Sequence, residues 1–439
     1  MTDTQARTRE SVLDELTWRG AIAQTTDPEA LHSALEDGPI TVYCGFDPTA
    51  PSLHFGNFVQ LVALRRFQQA GHRVICLVGG STGQIGDPKA TAERVLKSRE
   101  QTAHNVARIK ALVAPFLDFD GSSGVAFPAR LVDNLDWFGP LTALDFLRDV
   151  GKHFRVNQMI KKDAIAARLE SQEGISYTEF SYQLLQAYDF LELYRTLGCT
   201  LQIGGSDQWG NLVAGVDLIH RVEGAGVHVL TSPLLTDSSG TKFGKSEGNA
   251  IWLSADMTSP YAFYQYFLNI EDASVVELLK VFTDLSREEI AALEAQVAQE
   301  PFRRTAQRTL AAEMTTLVHG APATAAAQAA SEALFGRGDL HALDEATLRD
   351  ATAELPGAEV APGSSVTEAL VATGLVDSRN AARRVVGDGA VSLNGAKVSD
   401  PEATLDEDAF LHGVAAVLRR GKKNLAAARR PQETMAPDA

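Results

Sequence analysis

Two spacings of apolar residues divide this chain into segments. Pro39-Ile-Thr-Val-Tyr-Cys44 is a short apolar run, whereas Phe58-Val-Gln-Leu-Val-Ala-Leu-Arg-Arg-Phe67 places its apolar residues at helical spacing. The first predicts a buried strand and the second a helix, with a turn rich in Pro, Ser and Gly between them. Arg73-Val-Ile-Cys-Leu-Val78 predicts another strand, closed by the glycine-rich loop Gly79-Gly-Ser-Thr-Gly-Gln-Ile-Gly-Asp-Pro88. Cys199-Thr-Leu-Gln-Ile-Gly-Gly205 repeats the plan of strand, glycine turn and helix start. Strand–helix–strand with loops at the strand ends predicts an α/β fold with a doubly wound parallel sheet, which binds its ligand at the carboxyl edges of the strands.

The intervening stretches read as helices. Residues 1–38 are mostly helical, with Ser11 as an N-cap and Asp27-Pro-Glu-Ala30 opening a second helix. Residues 91–117 are charged and helical, residues 141–197 mostly helical, and residues 259–336 helical throughout, with Pro260 and Pro301 near helix starts. Residues 337–364, rich in Gly, Pro and Ala, read as a linker with one short helix, and a small module opens at Ser365. The end, from 429 to 439, reads as a disordered tail.

Composition narrows the class. A chain of 439 residues suits two to four domains, and 45% hydrophobic with 22% charged residues is ordinary for a globular protein. No apolar run is long enough to span a bilayer, and the polar N-terminus lacks signal-peptide design. The three cysteines, Cys44, Cys76 and Cys199, have neither zinc nor disulfide spacing, which favours a reducing, cytoplasmic setting. Net charge is −16, but its distribution is uneven. Residues 366–430 hold ten Lys and Arg against eight Asp and Glu, while residues 1–365 hold 30 against 46. A nucleic-acid partner would therefore meet the C-terminal module.

Candidate chemistry sits at the turns. His54 and Asn57 fall at the mouth of the helix after the first strand, where backbone N–H groups can face phosphate, and Gly56 allows close approach. Tyr182, Gln186 and Asp189 are spaced i, i+4, i+7 and share one helix face. Their neighbours Phe180, Leu184, Leu185 and Phe190 are apolar, so the polar face suits a ligand better than solvent. Ser206 and Asp207 read locally as N-caps. Lys242 and Lys245, three apart in a glycine loop, are by themselves a solvated pair.

These residues together resemble a known family. His54-Phe-Gly-Asn57 resembles the first signature of class I aminoacyl-tRNA synthetases, His-x-Gly-His, with Asn57 in place of the last His. The longer run from Tyr43 is similar to that of tyrosyl-tRNA synthetases, and Asn134-Leu-Asp-Trp137 resembles the family's Asn-x-x-Trp strand end. Lys242-Phe-Gly-Lys-Ser246 is similar to the second signature, and Ser378-Arg-Asn-Ala-Ala-Arg-Arg-Val-Val386 with Gly389-Ala-Val-Ser-Leu-Asn-Gly-Ala-Lys-Val398 resembles an S4-type RNA-binding domain.

The resemblance implies a Rossmann-like nucleotide-binding catalytic domain over 1–240, then a lysine-signature loop and helical tRNA-binding domain over 241–336. The linker, an S4-like α+β domain over 365–428 and the tail follow. It implies that tyrosine and ATP, with Mg²⁺ carried on substrate oxygens and no dedicated protein metal site, give tyrosyl-adenylate, and that tRNA(Tyr) then accepts the tyrosyl group. Thr49, His54, Lys242 and Lys245 would stabilise the transferring phosphates. Tyr43 and Asp189 would read the phenol, while Asp87, Tyr182 and Gln186 would hold the ammonium. Cys44, near the ribose, would line the ATP side with Gly45, Asp47, Gly56, Asn57, Asp207, Gln208, Phe243, Gly244 and Ser246. The family is homodimeric. The loop after Asp87 is shorter than in some relatives, so Lys89 and Arg94 receive no role. Two rivals remain at this point: a tryptophanyl enzyme, disfavoured by the S4-like tail and the Tyr43/Asp189 pair, and a non-catalytic RNA-binding protein, disfavoured by the presence of His54, Lys242 and Lys245.

Overall fold

The computed structural model describes residues 11–89, 93–171, 174–236, 243–246, 249–336 and 338–431. They form two compact units, Met1–Met257 with Val276–Ala291, and Thr258–Val275 with Ala292–Ala439. The first unit is built on a six-stranded sheet. Its strands are β1 (Gln24–Thr25), β2 (Thr41–Phe46), β3 (Arg73–Val78), β4 (Arg130–Asp133), β5 (Cys199–Gly205) and β6 (His228–Ser232), in the spatial order β1-β6-β5-β2-β3-β4. Strands β2 to β6 are parallel, with Tyr43 of β2 opposite Ile75 of β3 and Gln202 of β5. The chain works outward from β2 to β4 and then returns to lay β5 on the other flank of β2. That reversal is a topological switch point, and ligands bind in the crevice beyond the carboxyl ends of the two strands there.

The expected doubly wound sheet is present, with one addition. β1 pairs antiparallel with β6, inside a stretch expected to be mostly helical. Ala23 N–H donates to Thr231 O at 2.7 Å, and Thr25 Oγ1 donates to Val229 O at 2.8 Å. Two residues are too few to carry a periodic signal. The central strands read as apolar because both their faces are covered: Val42, Tyr43, Val74, Ile75 and Cys76 are all buried. Helix Phe55–Gln69 buries Phe55, Phe58, Leu61, Leu64 and Phe67, which is more than one stripe. Helix Tyr177–Leu197 starts on Ser176, whose side chain accepts from Glu179 N–H, and stops at Gly198 with φ of 62°. It packs against helix Trp209–Glu223 so closely that a Cβ on Gly215 would stand 2.9 Å from Phe190 Cδ1. A two-stranded ribbon, β7 (Lys245–Ser246) with β8 (Asn249–Ala250), completes the unit.

The second unit joins helices Pro260–Leu268, Thr305–His319 and Ala321–Phe335 with a small mixed sheet. Its strands β9 (Gly357–Glu359), β10 (Val391–Leu393), β11 (Ala396–Val398), β12 (Ala415–Arg420) and β13 (Asn424–Arg429) lie in the order β11-β10-β12-β13-β9. The stretch 337–364, expected as a linker, supplies both the helix Glu345–Ala353 and strand β9, which runs parallel to β13. A Cβ on Gly357 would collide with the Ala427 carbonyl, and Arg429 donates to Thr352 O at 2.8 Å and Leu355 O at 2.7 Å. Glycine and proline here serve close backbone approach rather than a tether. Arg429, expected to begin a disordered tail, is the last residue of β13, and residues 432–439 lie outside the described residues. No helix of the described residues is long and apolar enough to cross a membrane.

Candidate active site

The carboxyl end of β2 opens onto Asp47, which gathers the glycine loop and helix Tyr177–Leu197. Asp47 accepts from Thr82 Oγ1 at 2.6 Å and from Tyr182 OH at 2.8 Å. A Cβ on Gly79 would collide with both Thr82 Oγ1 and Asp47 Oδ1, so this glycine is there for contact. The network continues through Asn134, which is fully buried. Its amide nitrogen donates to Thr82 Oγ1 at 3.0 Å and to Asp189 Oδ2 at 3.1 Å, while its carbonyl oxygen accepts from Ser81 N–H at 2.7 Å. Trp137 Nε1 donates to the other oxygen of Asp189 at 2.9 Å. Asp189 is thus held on both oxygens in a buried place.

Burial pushes the Asp189 carboxyl well above its ordinary range, and the bonds from Asn134 and Trp137 oppose that shift. Asp47 is raised as well, first by desolvation, against the bonds from Thr82 and Tyr182. Tyr43 is 1% exposed, and its ring lies 5.3 Å from that of Phe190. Desolvation, then the nearby Asp189 charge, raises its pKa well above that of a free phenol, so it stays a neutral donor. The Tyr43 hydroxyl and Gln186 Oε1 are buried and meet no partner among the described residues. Orphaned buried polar atoms of this kind are costly unless a ligand satisfies them.

A second polar cluster surrounds Asp87, at the far end of the glycine loop. Asn211 Nδ2 donates to Asp87 Oδ1 at 3.0 Å, and Gln208 Nε2 donates to Asp87 Oδ2 at 3.2 Å. Asn211 also donates to Gln208 Oε1 at 3.0 Å and accepts from Lys162 Nζ at 2.6 Å. Gln208 and Asn211 come to Asp87 because β5 ends in a 3-10 turn, Ser206–Gln208, that feeds helix Trp209–Glu223. The N-cap of that helix is Gln208, not Ser206 or Asp207, so the capping expected of those two is corrected. Asp207 is exposed in the turn.

The His54 region differs in kind. His54 is the N-cap of helix Phe55–Gln69, and its backbone N–H donates to Asn57 Oδ1 at 3.3 Å. Asn57 thereby closes the first helical turn. A Cβ on Gly56 would lie 2.9 Å from His54 Cε1, so Gly56 makes room first of all for the imidazole. The His54 ring meets Trp252 edge-on at 6.2 Å. Phe55 N–H donates to Ile251 O, and Ile251 N–H to Gly244 O, both at 2.8 Å. Gly244 has φ of +81°, and a Cβ on it would stand 2.8 Å from Phe55 Cβ. The two signatures are therefore stitched together through the main chain. Phe243 N–H donates to Leu235 O at 2.9 Å, and the backbone of Lys245 and Ser246 forms β7. Lys242 lies outside the described residues. Thr49 is exposed in the turn after Asp47. Cys44 and Gly45 lie on β2, Cys44 buried and its thiol pushed well above its usual pKa, first by burial and then by Cys76. Such a thiol is no nucleophile.

The structure thus brings Tyr43, Asp47, Tyr182, Gln186 and Asp189 to the end of β2, and seats Gln208, expected on the ATP side, on Asp87. Sequence reading noticed Asn134 and Trp137 only as a strand-end pattern and missed Thr82, Lys162 and Asn211. Nothing local announces a lysine whose partners lie 75 and 49 positions away.

Known proteins share this arrangement. The profile of class I tRNA synthetases (W and Y) matches residues 35–336, and that of the tyrosine–tRNA ligase SYY-like C-terminal domain matches residues 347–427. The tyrosine–tRNA ligase of Streptomyces coelicolor is 57% identical over 417 residues, which cover 95% of this chain and 98% of that protein. That of Leifsonia xyli is 59% identical over 418 residues, 95% of this chain and 93% of that protein. The crystal structure of a C-terminally truncated Aspergillus nidulans mitochondrial tyrosyl-tRNA synthetase superimposes with a TM-score of 0.66 at 32% identity, covering 73% of this chain and 92% of that one. A Plasmodium falciparum tryptophanyl-tRNA synthetase, at 12% identity and a TM-score of 0.53 over 77% of this chain and 87% of that one, shares the fold. The chain belongs to the tyrosine–tRNA ligase family of class I aminoacyl-tRNA synthetases.

Proposed function

We propose that this chain is a tyrosine–tRNA ligase in which the end of β2 selects the amino acid and the His54 side carries the phosphate chemistry. The observation that carries the reading is the buried Tyr43 hydroxyl, without a partner among the described residues, beside a doubly held Asp189. A phenol entering there gives the Tyr43 hydroxyl its partner, whereas phenylalanine leaves that hydroxyl unpaired. Asp87, Tyr182 and the orphaned Gln186 Oε1 receive the ammonium group.

The substrate carboxylate attacks the α-phosphorus of ATP, the bond to the bridging oxygen breaks, and pyrophosphate leaves. The ribose hydroxyl of the tRNA end then attacks the adenylate carbonyl and AMP departs. Neither step needs a protein nucleophile, so alignment and charge stabilisation do the work. Thr49, His54, Lys242 and Lys245 are assigned to stabilising the phosphates. Cys44, Gly45, Gly56, Asn57, Asp207 and the Phe243–Ser246 backbone line the nucleotide. Mg²⁺, when bound with ATP, would neutralise pyrophosphate oxygens. The test is amino-acid-dependent exchange of pyrophosphate into ATP with tyrosine, phenylalanine and tryptophan. Exchange with tyrosine alone is expected, and exchange with tryptophan would overturn the reading.

The C-terminal module is assigned to tRNA as an S4-like domain. Helix Arg379–Gly387 exposes Arg379, Arg383 and Arg384. Changing all three to Ala should weaken tRNA charging and lower its salt dependence while leaving adenylate formation intact. The functional form is a cytoplasmic homodimer whose contacts lie outside this module. Leu144, Val156, Leu169 and Tyr177, exposed apolar residues of the first unit, are the surface that supports this. A monomer on light scattering would count against it.

A further inference from the structure

Resting on Asp87 as the ammonium ligand, we infer that Lys162 and Asn211 are positioning residues that set which way Asp87 presents its carboxylate. The argument turns on donors and acceptors. Asp87, Asn211 and Gln208 form a closed ring: Asn211 Nδ2 donates to Asp87 Oδ1 and Gln208 Oε1, and Gln208 Nε2 donates to Asp87 Oδ2. Each amide in this ring has one workable orientation. Turning the Asn211 amide over would place its carbonyl oxygen against the Asp87 carboxylate and against Gln208 Oε1.

Lys162 is the group that forbids the turn. An ammonium can only donate, and its 2.6 Å bond to Asn211 requires the carbonyl oxygen on that side. Its distance to Asp87 Oδ1 is 3.4 Å, so its closer partner is Asn211 rather than the carboxylate. Asn211 is fully buried and Lys162 nearly so, with 15% of its side chain exposed. Its stem packs along Gly210, 3.8 Å from where a Cβ would stand. Lys162 therefore keeps Asn211 turned, and Asn211 keeps Asp87 aimed. The cation also offsets one of the carboxylates, Asp47, Asp87 and Asp189, that crowd this end of the sheet.

The test is calorimetric binding, without ATP, of tyrosine and of its desamino analogue, which lacks the ammonium group. Lys162→Met should weaken tyrosine about tenfold, the order of one hydrogen bond to a charged group, and leave the desamino analogue within about twofold. Asn211→Ala should act in the same direction, and Lys162→Arg, which still donates, should restore most of the loss. A purely structural role would weaken both ligands alike. Asp87→Asn is the control that separates the two levels of the argument. If Asp87→Asn weakens only tyrosine while Lys162→Met and Asn211→Ala weaken both ligands equally or neither, the positioning role is overturned. If Asp87→Asn itself fails to distinguish the ligands, the assignment of Asp87 falls and the inference with it. Thermal melts of the full-length variants guard against reading unfolding as lost affinity.

Discussion

The surroundings of Asp189 and those of His54, proposed as the amino-acid side and the phosphate side of the first unit, are built on different plans. Around Asp189 and Asp47 an unbroken chain of side-chain bonds runs Trp137, Asp189, Asn134, Thr82, Asp47, Tyr182. Around His54 the main chain links Phe55, Ile251 and Gly244, and Thr49 stands exposed. The difference follows from the two tasks. Selecting one hydroxyl requires polar groups already buried and aimed, because discrimination comes from leaving them unsatisfied by the wrong substrate. Stabilising a charge that develops on moving phosphates needs donors that can close in, the task proposed for the glycine loop.

Breaking the wired side should have the largest effect. Asp189→Asn replaces an acceptor that serves two donors with an amide that can serve one, so either Asn134 or Trp137 is left facing an NH₂ group. Tyrosine activation, read as kcat/KM in pyrophosphate exchange, should fall about 100- to 1,000-fold, the scale of an orphaned buried group. The stability consequence depends on pH in a definite direction. Because the folded-state pKa of Asp189 is raised, the protonated acid favours folding, and the wild-type chain loses that contribution as pH rises through the folded value. The stability gap between wild type and Asp189→Asn should therefore narrow as pH rises from the ordinary carboxylate range, about pH 4, toward the raised folded-state value, which urea melts can follow.

On the other side, Gly244→Ala strains a backbone at φ of +81° and presses a methyl group 2.8 Å from Phe55 Cβ. It should part the two signatures. Adenylate formation is expected to slow about tenfold or more, consistent with ~1–3 kcal/mol of strain and misplacement, with tyrosine affinity unchanged within about twofold. Equal losses in binding and rate would mean that the two sides are not independent. The smallest effect belongs to Tyr43→Phe. It removes one partner of the phenol and leaves Asp189, so activation should drop only by ~1 kcal/mol, about fivefold. Stability should hold or rise, because the lost hydroxyl is a buried group without a partner among the described residues. A drop in melting temperature would show that the hydroxyl has a structural role.

The parts legible in the sequence were those with local period or a contiguous signature. Strands β2 and β3 showed as apolar runs because both faces are buried, and the stripe Tyr182, Gln186, Asp189 was visible because a helix repeats every few residues. Two of its three members sit in the bond chain, and the third holds an orphaned atom. What stayed hidden depends on distant segments meeting. Lys162, between the short helices Val156–Met159 and Asp163–Glu170, reaches Asn211 on a helix that follows a different strand. Strand β9 was hidden for another reason: three residues containing a glycine carry no pattern, and the strand exists because β13 lies ready to pair with it.

The donor-only surroundings of Asp189 also limit where this protein can go in mutational space. Asn134 and Trp137 each point a hydrogen at the carboxylate, so any uncharged replacement at 189 orphans at least one of them before a new substrate is gained. Asn134 cannot be exchanged first without releasing Thr82 and the Ser81 backbone, and through them Asp47. A route from tyrosine to another amino acid must then pass through poorly active intermediates or change several of these residues together. On the proposed assignment of Asp189, coupling among Asp189, Asn134 and Trp137 would hold the choice of amino acid in place beyond the fit of the pocket alone.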